Sequence, residues 1–171
     1  MKKGEKQTMT ISFEQVTEKN KIPELLDLCR AAGRASDGSS WDDTYPNAEI
    51  LSDDIDAGQL FEILVDGERV GILCMGEEEE ELTGLDWQFY ANHACEFSRF
   101  CLAADKQGKG LARPVLEAAF AHSRARGYDA VHILVSICHK QALDLYQKIG
   151  FVCRGEARLW EEDFWFCEYR L

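Results

Sequence analysis

The chain has 171 residues, of which 46% are hydrophobic and only three are proline, so one folded unit with a sizeable core is expected rather than disorder. It contains no apolar run long enough for a signal peptide or a membrane span. The net charge of −12 argues against a nucleic acid or an anionic membrane as partner, because such a field repels both. The same charge is compatible with a cationic substrate, such as an amine or a basic peptide. Alternatively, it only keeps the protein soluble.

Periodicity and turn signals predict a single domain at residues 9–171, after a loose, polar and Lys-rich tail at residues 1–8. Apolar runs and alternation predict strands, helical spacing predicts helices, and the Asp66-Gly67 pair predicts a hairpin turn. In chain order, the predicted elements are a strand at 11–16, helices at 22–33 and 49–57, strands at 59–65, 69–75 and 95–103, a helix at 111–126, a strand at 130–137, a helix at 140–149, and strands at 151–157 and 164–169. Residues 82–90 fit a strand or a helical turn and receive no assignment.

This order of elements predicts an α/β chain with a mixed sheet and helices on its faces. The helix at 111–126 separates the strands at 95–103 and 130–137, so these two strands should run parallel through a right-handed crossover. The last two strands are expected to be antiparallel neighbours. The acidic run Glu77 to Glu81 is expected to be a solvated loop tip.

The loop at residues 36–47 carries two large aromatic residues, Trp41 and Tyr45, among acidic and polar neighbours. Two interpretations remain open. Either the rings line a pocket for an acceptor substrate, or they anchor the loop on the hydrophobic core.

Seven cysteines are scattered along the chain, with no CxxC pair among them. Most lie inside apolar runs, as small core residues do. They are therefore interpreted as reduced thiols of a cytoplasmic protein. Their spacing gives no support to a metal site.

The stretch Gln107 to Ala112, which reads Gln-Gly-Lys-Gly-Leu-Ala, joins the strand at 95–103 to the helix at 111–126. A helix start leaves backbone N–H groups unpaired, and the helix dipole favours negative charge there. Gly108 and Gly110 have no Cβ, so a phosphate can approach the backbone closely. The stretch predicts an anion-binding turn, best suited to a pyrophosphate; the alternative is a tight connection without a ligand. It has neither the spacing of a nucleotide triphosphate loop nor the third glycine of GxGxxG.

The pattern Gln-x-x-Gly-x-Ala in this turn resembles the acetyl-CoA loop of the GCN5-related N-acetyltransferase (GNAT) superfamily. A second stretch, Ala142 to Phe151, resembles the GNAT segment Ala-x-x-Leu-Tyr-x-Lys-x-Gly-Phe, a helix followed by a strand. The resemblance is strong over residues 95–157, whereas the N-terminal half agrees only in the order of its elements. It implies a GNAT-like central mixed sheet that is largely antiparallel, with one parallel, splayed strand pair and helices on both faces.

The resemblance implies that acetyl-CoA is the co-substrate. Backbone N–H groups of the turn would hold its pyrophosphate, the splayed strand edge would hold its pantetheine, and Gln107 would brace the turn. The residues implied in acetyl-CoA binding are Leu102, Ala104, Gln107, Gly108, Lys109, Gly110, Leu111, Ala112 and His139. His139 departs from the family pattern, in which an asparagine often contacts the cofactor here; a histidine can still donate a hydrogen bond or serve in proton transfer.

The resemblance also implies two catalytic residues. Tyr146 would protonate the departing CoA thiolate, since a phenol pKa of about 10 suits a donor to a thiolate of pKa about 8 to 9; the alternative is an aromatic residue at the core edge. Glu96 would take a proton from the amine, as a glutamate does at the matching position in the histone-acetyltransferase branch. The alternatives for Glu96 are an ion pair with Arg99 or Arg124 and an outward-facing edge position. Weaker candidates for the base are Glu81, Asp86 and His93.

Together these features predict an N-acetyltransferase that moves the acetyl group of acetyl-CoA to a primary amine by direct attack, with both substrates bound. The acceptor would be a small-molecule amine or a peptide, and a homodimer is a possible assembly. The alternative is a domain of the same fold that binds acyl-CoA as a sensor or interaction module without turnover.

Overall fold

The computed structural model describes residues 8–171; residues 1–7 of the predicted tail lie outside the described residues. Its strands are β1 Ile11–Gln15, β2 Leu60–Val65, β3 Glu68–Gly76, β4 Ala94–Leu102, β5 Ala130–Ser136, β6 Val152–Leu159 and β7 Glu162–Arg170. They form one seven-stranded sheet in the order β1-β2-β3-β4-β5-β7-β6. All neighbouring strands are antiparallel except β4 and β5, which are parallel. The predicted mixed sheet with one parallel pair is confirmed.

Helices cover both faces of this sheet, as predicted. They are α1 Ile22–Ala35, α2 Ala48–Asp56, α3 Glu80–Thr83, α4 Ala112–Ala125 and α5 Lys140–Ile149. Because successive residues of a strand point to opposite faces, each face has its own core. Helices α4 and α5 pack on the core that contains Phe97 and Val131, whereas α1 and α2 pack on the core that contains Ile72 and Cys74.

Local chemistry explains where several elements begin and end. The side chain of Asn47 caps α2 by accepting a hydrogen bond from the N–H of Ile50 at 3.0 Å. Asp66 and Gly67 take φ values of 51° and 82° and form the predicted hairpin turn between β2 and β3. Gly150, with φ 121°, ends α5 in a backbone conformation that favours glycine.

The parallel strands β4 and β5 stay together over only three residue pairs, the last of which is Glu96–His132. Beyond this pair, β5 continues in register with β7, whereas β4 leaves it. The departure coincides with a bulge in β4, where Arg99 takes a φ of 50°. A gap therefore opens between β4 and β5, called the wedge below, with its vertex at Glu96–His132.

The segment between β3 and β4 differs from the prediction. The second half of its acidic run is exposed, but Glu78 bonds to the ring of His132, and Glu77 accepts a hydrogen bond from the Tyr128 hydroxyl at 2.8 Å. The prediction of a solvated loop tip is therefore wrong for Glu78, whose side chain is 16% exposed, whereas Glu77 is exposed as predicted but tied to the fold. The reason is that both partners lie more than 50 residues away in the chain, out of reach of a local pattern.

None of the seven cysteines forms a disulfide, and five of them are buried, which agrees with their predicted place in the core. Within residues 8–171, no helix has the length and apolar character needed to cross a membrane.

Candidate functional site

A cavity of about 980 Å³ occupies the wedge. Its walls come from β4, β5, the loop after α1, the turn before α4, helix α5 and the β6–β7 hairpin. The sequence-predicted residues that line it are Trp41, Tyr45, Glu96, Leu102, Gln107, Gly108, Ala112, His139 and Tyr146. Those that lie in or beside the turn without lining the cavity are Ala104, Lys109, Gly110 and Leu111. The weaker base candidates, which also lie outside its lining, are Glu81, Asp86 and His93.

The turn before α4 is an open backbone cradle. Gly108 and Gly110 take φ values of 69° and 74°, a left-handed conformation that favours glycine. A Cβ built on either residue would meet no described atom within 4 Å, so the space above the turn is free. Leu111, at the N-cap of α4, makes no side-chain cap hydrogen bond. The first N–H groups of the helix therefore remain available to an anion.

Gln107 ties this turn to the rest of the fold. Its Nε2 donates to the carbonyl oxygens of Ala32, in α1, and of Leu102, at the end of β4, each at 3.1 Å. One side chain thus braces the turn against both a helix and a strand.

Glu96 lies at the vertex of the wedge and is buried. Its Oε2 accepts a hydrogen bond from the N–H of Glu79 at 3.0 Å. Removal from water raises the pKa of the Glu96 carboxyl to about 7, and the nearby carboxylates of Glu79 and Glu78 act in the same direction. The N–H bond and the charge of Arg99 oppose this shift without cancelling it. A carboxyl with a pKa near neutrality is suited to take and release a proton.

The predicted alternative, an ion pair between Glu96 and an arginine, is wrong. Arg99 pairs instead with Asp54 of α2, with its Nε 2.5 Å from Oδ2. Within residues 8–171, no ion pair joins Glu96 to Arg99 or to Arg124. Among the residues that the structure describes, Glu96 is therefore a buried carboxyl that faces the cavity without a cationic partner.

Tyr146 lies on α5 between the core and the cavity. Its ring meets Phe151 edge-on, with 5.4 Å between the ring centroids, and it packs on the core beneath α4 and α5. Burial raises the pKa of the Tyr146 hydroxyl, so the phenol keeps its proton at neutral pH. The residue is thus both an aromatic at the core edge and a protonated group on the cavity wall.

His139 connects the start of α5 to the end of α1. It precedes α5, and its Nε2 lies 3.0 Å from the hydroxyl oxygen of Ser36, at the end of α1. Burial lowers the pKa of the imidazole, so the ring is neutral at neutral pH. His139 thus holds the loop after α1 against the start of α5.

Sequence reasoning missed the buried Arg99–Asp54 pair. Arg99 comes from the β4 bulge and Asp54 from α2, and the Tyr45 hydroxyl accepts a further hydrogen bond from Arg99 at 3.4 Å. All three residues line the cavity. An arginine in an apolar strand was the available signal, but its partner lies 45 residues away in the chain.

Aromatic rings and carboxylates also line the cavity. Trp41 and Tyr45 meet edge-on at 6.3 Å between centroids, and Trp41 also packs on the core beneath α1, so this residue fits both interpretations of the loop. The β6–β7 hairpin adds Phe164 and the exposed Trp160, neither of which the sequence singled out. The carboxylates that line the cavity are those of Asp42, Asp53, Asp54, Glu79, Glu96 and Glu162.

Comparison with known proteins gives one family. The model of the Acetyltransferase (GNAT) family matches residues 22–151 of the chain. Among curated proteins, none matches the chain in sequence.

Similar solved structures share the fold over nearly their whole length. A GNAT-family acetyltransferase of Streptococcus agalactiae has a TM-score of 0.72 at 21% identity, with 96% of each chain covered. Another, of Listeria monocytogenes, has a TM-score of 0.71 at 15% identity, with 95% of each chain covered. A spermidine N-acetyltransferase chimera from Vibrio cholerae has a TM-score of 0.65 at 16% identity, covering 94% of this chain and 95% of its own. At these identities the likeness establishes the fold.

Proposed function

The chain belongs to the GNAT family of acetyltransferases, and on that premise we propose that it transfers the acetyl group of acetyl-CoA to a primary amine. Family membership supports acetyl transfer in general. The observation that carries the proposal for this chain is Glu96, a carboxyl buried at the vertex of the wedge, with a pKa of about 7 and no cationic partner in the described part of the chain.

The residues of the wedge fit acetyl-CoA as co-substrate. The open backbone at Gly108 and Gly110 and the start of α4 suit a pyrophosphate, and the exposed Lys109 adds a positive charge beside them. The edge of β4 beyond Glu96 is not paired with β5, so its backbone groups are available to the amide groups of a pantetheine arm.

Glu96 would serve as the general base. A lysine-like ammonium has a pKa of about 10, so it must lose a proton before its nitrogen can attack. The Glu96 carboxylate takes that proton, the new C–N bond forms at the acetyl carbon, and the C–S bond breaks. Both substrates are bound together, and no covalent enzyme intermediate is needed.

Tyr146 would supply the proton that the departing thiolate needs. Its raised pKa keeps the phenol protonated until a strong acceptor arrives, and its position on the cavity wall supports contact with the sulfur. A CoA thiolate of pKa about 8.5 can take the phenol proton only when the phenol is held next to the sulfur. Helix α5 would hold Tyr146 in that place.

The charge of the cavity favours a cationic acceptor. Six carboxylate residues line it. Of the lining residues within 8–171, only Arg99 carries a permanent positive charge, which Asp54 neutralises. One structural neighbour is a spermidine N-acetyltransferase. We therefore extend the proposal to primary amines that carry a second positive charge.

The test is release of free CoA thiol from acetyl-CoA by the purified protein. The panel of acceptors contains a monoamine, a diamine, a polyamine, a free amino acid and a peptide with a free N-terminus. We expect turnover with a higher kcat/KM for the diamine and polyamine than for the monoamine. Calorimetric binding of acetyl-CoA without thiol release for any acceptor would contradict the proposal and favour an acyl-CoA-binding module.

A further inference from the structure

Three ionisable side chains form one row across the sheet. Glu96, His132 and Glu168 are register partners on β4, β5 and β7, so their side chains point to the same face. Neighbouring strands lie about 4.8 Å apart, which places His132 next to Glu96 in the sheet at the vertex of the wedge. The three residues are 8%, 3% and 0% exposed, respectively.

The segment between β3 and β4 covers this row and bonds to each member. The N–H of Glu79 donates to Glu96, and the carboxylate of the preceding residue, Glu78, bonds to Nδ1 of His132. Further along the same segment, the N–H of Gln88 donates to Glu168 at 2.9 Å. At the vertex of the wedge, Glu78 therefore bonds to His132, and the next residue, Glu79, bonds to Glu96.

A second cavity, of about 620 Å³, lies against the same segment. Glu78 and His132 line the second cavity, whereas Glu79 and Glu96 line the first. The side chain of Glu78 is 16% exposed. Glu78, which bonds to the middle member of the row, thus connects the row to a separate opening on the side away from the first cavity.

The reaction has to dispose of one proton in each turnover. An ammonium carries three protons on nitrogen; the amide keeps one, the CoA thiol takes one, and the third has to leave. Glu96 receives this third proton under the proposed function. It can act again only after it has passed the proton on, and bound substrates occupy the cavity that it faces.

We propose that Glu78 and His132 form the proton exit of Glu96. The O–H bond of protonated Glu96 breaks and an O–H bond forms on Glu78, directly or through one water, and Glu78 then releases the proton to the second cavity. His132 is a positioning residue, since it touches no substrate and holds the Glu78 carboxylate in line. The proposal rests on the proposed function, in which Glu96 is the base.

The other groups around the row have different partners. Arg154 lies 2.5 Å from Glu168, whose second oxygen is 3.9 Å from Nε2 of His132, so Glu168 is engaged in anchoring the segment. Trp87 stacks on His132 with 3.7 Å between the ring centroids and fixes the plane of the imidazole. Glu77, the remaining acidic neighbour, pairs with the Tyr128 hydroxyl and is held outside the row. Glu79 also acts on Glu96, but it lines the first cavity, which the bound substrates occupy. Glu78 is the neighbouring carboxylate that lines the second cavity, so it is the one placed to carry the proton away.

Three variants test the exit, with amine and acetyl-CoA saturating. We expect Glu78→Gln to lower kcat about 10-fold or more without changing acetyl-CoA affinity, because the amide cannot carry the proton. His132→Ala should lower kcat similarly, and added imidazole should restore part of it in proportion to its neutral fraction. Tyr128→Phe is the control, since it removes another anchor of the same segment; its kcat and pH profile should stay those of the wild type.

The outcomes separate the exit from the proposed function. If Glu96→Gln lowers kcat/KM and removes the limb near pH 7 while Glu78→Gln keeps the wild-type kcat and pH profile, the exit is overturned and the function stands. If the wild type releases no CoA with any amine, both fail. Loss of thermal stability in His132→Ala with normal kcat and no response to imidazole would make the row structural only. Should His132→Ala not fold, Glu78→Gln decides alone, because Glu78 is more exposed than any member of the row and its change is isosteric.

Discussion

A buried carboxyl without a cation destabilises the fold once it ionises, and Glu96 is such a residue. Burial raises its pKa from 4.5 to about 7, so between these pH values the folded protein holds a proton that the unfolded chain has released. The free energy of unfolding therefore falls as pH rises through this window. Above it, ionised Glu96 costs about 3 kcal/mol.

We expect Glu96→Gln to remove this part of the pH dependence, because an amide does not ionise. Measured by urea unfolding, the variant should match the wild type near pH 4.5 and exceed its stability by about 3 kcal/mol at pH 8. The same substitution should remove the limb near pH 7 from the profile of kcat/KM. Parallel stability curves for the two proteins would show that the Glu96 carboxyl does not titrate in this range.

Tyr146 can be tested by deleting a single oxygen. Tyr146→Phe keeps the ring against Phe151 and removes the proton donor, so kcat should fall by about 10²-fold or more while the dissociation constant of acetyl-CoA changes little. Steady-state kinetics with a diamine and calorimetry with acetyl-CoA give the two numbers. Full activity would leave Tyr146 as an aromatic residue at the core edge.

At the scale of an element, the turn before α4 is held open by two left-handed glycines. Gly110→Asp would put a side chain and a negative charge where the pyrophosphate is proposed to bind, so acetyl-CoA affinity should fall at least 10-fold. Gly127→Asp is the matched control, because Gly127 follows the same helix with a φ of 93° and an equally open surrounding. The control carries the same backbone strain and should bind acetyl-CoA normally. Equal affinities in the two variants would remove the turn from the binding site.

The buried ion pair Arg99–Asp54 connects α2 to the β4 bulge. Asp54→Asn would leave Arg99 buried without a counter-charge and should lower the free energy of unfolding by about 3 kcal/mol. Asp53→Asn, one residue earlier and exposed, should change it by about 0.5 kcal/mol or less. Chemical denaturation of both variants measures the difference. A similar small effect of both substitutions would mean that solvent reaches the Arg99 site.

Elements with local signals could be predicted from the sequence, and those fixed by distant partners could not. Helix α5 has the predicted bounds because its apolar spacing and Gly150 lie within a single stretch. The Gly-rich turn was likewise visible in six residues. The path of residues 77–92 depends on His132 and Glu168, and the Arg99–Asp54 pair joins a strand to a helix, so only the tertiary structure reveals them.

At the scale of the whole molecule, the net charge of −12 and the carboxylates of the cavity act together on a charged acceptor. Raising the ionic strength from about 0.01 M to about 0.15 M shortens the Debye length from about 30 Å to about 8 Å. We expect kcat/KM for a diamine to fall more steeply over this range than kcat/KM for a monoamine, with kcat at saturation unchanged. Identical salt dependence for the two amines would leave the charge with no role beyond solubility.

The backbone pairing of β4 and β5 fixes the depth of the wedge. Its floor, at Glu96–His132, consists of main-chain pairing between β4 and β5, so its depth is set by the residue at which the two strands part company. Side chains along the walls can widen or narrow the slot, but they cannot lower its floor. In an enzyme of the proposed kind, the register of β4 against β5 therefore limits the length of the acyl group that fits. A longer acyl group would require the β4 bulge to move along the strand.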